Sequence, residues 1–154
     1  MHVFGRGLEE VTACVRAGVP VEVVPGLTSA LAAPTYAGIP VTARGVTQSF
    51  SVVSGHLPPG DPGSTVDWDA LARVGGTLVL LMAVGHLPAI CATLVAGGRS
   101  PATPVAVVAD ATMPQQTTVV TTLERAPVDA AEVRAPAVVV IGEVVALRHE
   151  WGWS

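Results

Sequence analysis

Apolar residues recur at helical spacing near the start of the chain and in short β-rich runs afterwards, and this change of period outlines the elements. Leu8, Val11 and Val15 share one face while Glu9, Glu10 and Arg16 lie elsewhere, which predicts an amphipathic helix that Gly18 and Pro20 stop. Residues 21–24 predict a strand, and 28–36 an Ala-rich helix that Pro34 breaks or kinks. A second strand is predicted at 50–53. Pro58, Pro59, Gly60, Asp61, Pro62, Gly63 and Ser64 then make 56–65 a surface loop, with a mobile lid as the alternative. Asp67 or Asp69 caps a short helix to Arg73, a strand follows at 77–81, and a helix at 87–96 closes on Gly97-Gly98.

Residues 74–98 contain no Asp, Glu, Lys or Arg, a run long enough to cross a membrane by hydropathy alone. Gly85, His86 and Pro88 divide it into 77–84 and 87–96, each too short to span, so a strand, a turn and a helix describe it better. To Pro104 the rhythm is strand and helix in alternation. Beyond it, β-rich runs at 105–108, 117–122 and 138–141 are separated mostly by turns, which adds antiparallel strands to a parallel core. The fold class is therefore α/β, a mixed parallel/antiparallel sheet flanked by helices, in a single domain over 1–154. The tail 149–154, with Trp151 and Trp153, reads as a docking end.

Composition sharpens this picture. With 50% apolar and 13% charged residues and a mean hydropathy of +0.56, the chain has little material for a fully solvated shell, so part of its surface is expected to meet a partner. Net charge is −4, all eight basic residues are Arg, and no basic cluster interleaves with aromatics, which argues against nucleic acid. No basic segment followed by an apolar stretch opens the chain, so the cytoplasm is the default. Cys14 and Cys91 sit in helical patterns as small buried hydrophobes, and His2, His56, His86 and His149 lack ligand spacing, so no metal is assigned.

Chemistry concentrates around the Pro25-Gly26 turn. It lets backbone approach a ligand, and Thr28 and Ser29 cap the helix that follows while leaving other helix-start N–H groups free. Met82 ends the strand 77–81, and carboxyl ends of strands are where open α/β sheets place ligands, although a methionine there is more often core filler. No nucleophile, base and orienter can be assembled from Ser49, Ser54, His56 and Asp61.

The stretch Pro25-Gly26-Leu27-Thr28-Ser29-Ala30, continuing through Ala37-Gly38-Ile39-Pro40 to Arg44, resembles the tetrapyrrole methylase family. Val3-Phe4-Gly5-Arg6-Gly7, Gln48-Ser49 to Ser54-Gly55-His56, and Ala135-Pro136 through Ile141-Gly142-Glu143 to Arg148 agree in order. The resemblance implies the C-terminal half of a two-domain enzyme whose N-terminal domain is absent, pairing as a homodimer. It implies methylation of uroporphyrinogen III to precorrin-2, for sirohaem and cobalamin, with S-adenosyl-L-methionine as donor. By the same resemblance Val3, Thr28, Ser29, Met82 and Ala111 contact the donor, and Arg44 meets the tetrapyrrole's carboxylates. Ala83 and Ala111 stand where relatives usually carry Gly. Ala43, Gly45 and Val46 stand where they tend to carry His, Asp and Tyr, so a structural ion pair competes for Arg44. Acid-base residues of the family belong to the absent domain, so no catalytic residue is assigned. A non-catalytic dimerisation or ligand-binding module, and a methylase of a later corrin intermediate, are the competing readings.

Overall fold

The computed structural model describes residues 2–151, with side chains through Arg148. Five strands, β1 (Phe50–Ser54), β2 (Thr77–Leu81), β3 (Pro104–Ala109), β4 (Thr117–Thr122) and β5 (Ala137–Ile141), form one sheet in the order β1-β2-β5-β3-β4. Only β1 and β2 pair in parallel. The last strand, β5, inserts antiparallel between β2 and β3, and β4 is antiparallel to β3. The sheet is mixed, as the change of rhythm at Pro104 predicts. Because β2 and β3 both oppose β5, they run in the same direction, and their carboxyl ends share one edge with the start of β5.

The three central strands are buried on both faces, which is why they read as unbroken apolar runs. Leu78, Leu80, Val105, Val107, Val139 and Ile141 point to one side, against Trp68 and Ala72 of α3 (Trp68–Arg73), Leu87, Ile90 and Leu94 of α4 (Leu87–Ala96), and Ala126 of α5 (Ala126–Asp129). Val79, Leu81, Ala106, Val108, Val138 and Val140 point to the other, against Ala30 and Ala33 of α2 (Ser29–Tyr36) and Val144 and Val145 of the 3₁₀ segment Glu143–Trp151. Truncating a fully buried residue such as Leu80 or Ile90 to Ala would cost about 2–5 kcal/mol.

The ends of the helices follow from named residues. Asp67, not Asp69, caps α3, its Oδ1 accepting the Ala70 N–H at 2.8 Å. Gly98, at φ +106, ends α4 by letting the Arg99 N–H reach the Leu94 carbonyl at 3.0 Å. The charge-free run at 74–98 is β2, a 3₁₀ turn at Val84–His86, and α4, and among the described residues no helix is long and apolar enough to cross a membrane.

Three sequence-based expectations differ from the structure. Residues 21–24 form no strand: 19–28 carries no regular structure and is largely exposed, because no ladder partner lies beside it among the described residues and an isolated strand gains too little to persist. Pro34 does not break α2, which runs two residues further and ends where the Ile39 N–H bonds the Pro34 carbonyl at 2.8 Å. Cys14 is half-buried rather than buried, because α1 (Gly7–Arg16) packs only lightly, with Gly7 its one buried residue and Leu8 and Val15 71% and 63% exposed. The expected docking tail at 149–154 lies outside the described side chains.

The two thiols are therefore expected to behave differently. Burial pushes the Cys91 thiol up to about 11 from an ordinary 9.0. An aromatic disulfide reagent at pH 8 should titrate Cys14 promptly and Cys91 only after denaturation. The same raised pKa means the unfolded thiol ionises first, so stability should fall as pH rises from about 9 towards 11, and Cys91→Ala should flatten that limb. Rapid titration of both thiols in the native protein would contradict the buried position.

Candidate functional site

A cleft of about 780 Å³ opens where the carboxyl ends of β2 and β3 meet the start of β5, within the size range of small-molecule sites. Its floor is the row Leu81, Val138 and Val108, which the sheet register places side by side. Ser29, Ala32 and Ala33 of α2 form one wall, and Asp110, Ala111, Thr112 and Met113 of the turn after β3 form the opposite one. Met82, Gly85 and the Ala135-Pro136 peptide close the base, while Val3, Phe4 and Leu27 stand at the mouth. Small residues on α2 explain the volume: alanines in place of larger side chains leave room above the sheet. Asp110 is the one formally charged residue among the lining residues, beside two hydroxyls from Ser29 and Thr112 and two soft thioethers from Met82 and Met113.

The backbone marks this place independently of its shape. Among the described residues, non-glycine positions with positive φ are Phe4 (φ 51), Met82 (φ 57), Asp110 (φ 48) and Thr112 (φ 73), and all four line the cleft. Left-handed backbone costs a non-glycine residue on the order of 1–3 kcal/mol, most for a β-branched one such as Thr112, and it persists where surrounding contacts enforce it. Some are visible. The Asp110 N–H donates to the Pro136 carbonyl at 3.1 Å, and the Thr112 N–H donates to Gln116 Oε1 at 2.9 Å.

Of the residues singled out from sequence, Val3, Ser29, Met82 and Ala111 are brought together in this lining. Thr28 is not part of it. Its Oγ1 accepts the Ala30 N–H at 3.3 Å and caps α2, the helix that carries Ser29, Ala32 and Ala33. Arg44 is also apart, exposed in the tight turn closed by the Ala43–Thr47 bridge, and it makes no ion pair with a carboxylate among the described residues. Pro25-Gly26 follows no strand, yet Leu27 beyond it reaches the mouth. Ala83 does not face the cleft: it is fully buried among the residues under the other sheet face. Phe4, Asp110 and Thr112 were not legible in advance. A left-handed Phe or Thr leaves no compositional trace, and only Asp110 belongs to a residue type that tolerates this backbone.

The model of the tetrapyrrole (corrin/porphyrin) methylases matches residues 2–127. The chain belongs to that family. It is 45% identical over 153 residues to a uroporphyrinogen-III C-methyltransferase of Sinorhizobium, covering 98% of this chain and 55% of the relative. Against the siroheme synthase of Azotobacter vinelandii the identity is 42% over 153 residues, covering 98% of this chain and 32% of that protein. The chain thus spans about half, or a third, of these relatives. The uroporphyrin-III C-methyltransferase of Thermus thermophilus, solved in complex with S-adenosylhomocysteine, superposes with a TM-score of 0.79 at 44% identity, over 95% of this chain and 63% of that one.

The burial of Ala83 has a measurable consequence. A Cβ built on Gly55 would lie 2.6 Å from the Ala83 Cβ, 2.8 Å from its Cα and 3.1 Å from Ile90 Cδ1. Gly55→Ala should therefore destabilise the protein by about 1–3 kcal/mol in denaturant unfolding. Ala83→Gly in the same protein should recover part of that loss, with a coupling above about 0.5 kcal/mol. Additive effects would show that the two residues do not meet.

Proposed function

We propose that this chain supplies part of the donor and substrate site of an S-adenosyl-L-methionine-dependent C-methyltransferase that converts uroporphyrinogen III to precorrin-2, on the route to sirohaem and cobalamin. The observation that carries this reading is the coincidence of every left-handed non-glycine residue described with one cleft at the strand ends, in a chain of the tetrapyrrole methylase family. The lining suits the donor's chemistry. Leu81, Val108, Val138 and Ala33 offer an apolar bed for a base, Met82 and Met113 polarizable sulfur, and Ser29, Asp110 and Thr112 the polar side chains.

When bound, the donor supplies an electrophilic methyl group, and the electron-rich pyrrole carbon of the substrate is the nucleophile. No side chain of this chain need form a covalent bond. The work left to the protein is alignment and exclusion of water, and the rigid sheet edge with the Asp110–Thr112 turn performs the first. The second calls for a cover, because Val3, Phe4 and Leu27 at the mouth are 50%, 47% and 89% exposed. The apolar residues of α1 and 19–27 continue this exposed surface, and we place a further, N-terminal domain against it, completing the site. Homodimerisation and a cytoplasmic location belong to the same proposal, the first supported by the apolar surface and the second by siroheme synthases among the relatives.

A site divided in this way makes the short chain a weak binder. Titration calorimetry should give S-adenosylhomocysteine an affinity at least about tenfold lower than in a polypeptide extended by the N-terminal domain of the Sinorhizobium relative. The extended protein should form precorrin-2 in a coupled assay, and the short chain should not. Light scattering at micromolar concentration should report a dimer. Equal, tight binding by both proteins would refute the divided site, and binding without methylation by the extended protein would favour a non-catalytic module.

A further inference from the structure

Gln116 lies outside the cleft lining yet joins one of its walls to the end of the helix that forms the other. Its Oε1 accepts the Thr112 N–H at 2.9 Å, and its Nε2 donates to the Tyr36 carbonyl at 3.2 Å. The orientation of the carboxamide follows from its partners, since a backbone N–H can only donate and a backbone carbonyl can only accept. Thr112 is the most strained of the cleft residues, a β-branched side chain at φ 73, and Tyr36 closes α2, whose Ser29, Ala32 and Ala33 form the facing wall. The turn itself is wound tightly, with the Met113 N–H on the Asp110 carbonyl and the Gln116 N–H on the Met113 carbonyl, both at 3.0 Å. That winding brings the Gln116 side chain back over Thr112, and from there it reaches 80 residues along the sequence to the end of α2.

We infer that Gln116 is a positioning residue that sets the width of the donor cleft, by holding the Asp110–Thr112 turn in its left-handed conformation and tying it to the end of α2. The inference rests on the donor-site reading for its consequence, while the clamp stands on the geometry alone. Without the carboxamide, Thr112 relaxes toward negative φ, its N–H loses a partner, and the peptide groups flanking Ala111 rotate out of the cleft. A side chain of equal length without hydrogen-bonding groups removes both contacts. A carboxylate keeps the acceptor for Thr112 and loses the donor to Tyr36.

Two readouts on Gln116→Met and Gln116→Glu test this. Amide hydrogen exchange at Thr112 should accelerate about tenfold or more in Gln116→Met and stay close to the unsubstituted rate in Gln116→Glu, with β2 and β5 unchanged in both. Calorimetric affinity for S-adenosylhomocysteine should fall about tenfold in Gln116→Met and by a smaller factor in Gln116→Glu. Unchanged exchange at Thr112 in Gln116→Met would overturn the clamp, and accelerated exchange with unchanged affinity would overturn its control of the cleft. Equal acceleration across β2 and β5 would reveal general destabilisation and also count against the inference. Should neither the unsubstituted chain nor the polypeptide extended by the N-terminal domain of the Sinorhizobium relative show affinity for S-adenosylhomocysteine, the donor-site reading fails, and exchange at Thr112 still decides the clamp.

Discussion

The insertion of β5 between β2 and β3 is the constraint on which the rest of the molecule depends. Val139, Val140 and Ile141 are fully buried, with apolar side chains packed on both faces and hydrogen-bonded strands on both edges. This arrangement brings together two strands separated by 22 residues in the chain, from Leu81 to Pro104. Because β5 is antiparallel to both, β2 and β3 finish on the same edge. The row Leu81, Val138 and Val108, and with it the floor of the cleft, exists only through that pairing. Residues that would fill the space above it are absent, since α2 presents alanines there.

Strain and rigidity are coupled at this edge. Each of the left-handed residues at Met82, Asp110 and Thr112 follows a strand whose other residues are locked in the sheet, so the cost of the turn is offset by packing already in place. Hydrogen bonds from Asp110 to Pro136 and from Thr112 to Gln116 add to it. The site as proposed would align two small molecules, and it benefits from such rigidity because the alignment is then built during folding rather than at each encounter. The proposed methyl transfer would ask for little else from side chains, which agrees with a lining that holds one carboxylate.

The opposite holds at the N-terminal end. Gly7 is the sole residue of α1 that is buried, and 19–28 carries no regular structure. The helix keeps its form through its own hydrogen bonds and the Arg6–Glu9 ion pair, but exposed ion pairs contribute at most about 1 kcal/mol and do not fix a helix to a body. Leu8 and Val15 of this helix, with Val23, Val24 and Leu27 beyond it, are left exposed, and the N-terminal domain we propose would cover them.

Much of the fold was legible in the sequence. The periodicity located α1, α3, α4 and all five strands of the sheet, the turn residues located their ends, and the loss of alternation after Pro104 announced antiparallel pairing, since these follow from local spacing and backbone chemistry. Val3, Ser29, Met82 and Ala111 were named in advance and meet in one cleft, but through resemblance, because periodicity alone reads Val3 and Met82 as ordinary apolar positions. The left-handed backbone of Phe4 and Thr112, the inward-buried Ala83, the Gln116 bridge and the missing strand at 21–24 were decided by tertiary structure. A strand pattern reports what a segment can do beside a partner, whereas pairing, strain and the direction a methyl group faces depend on which distant residues arrive next to it.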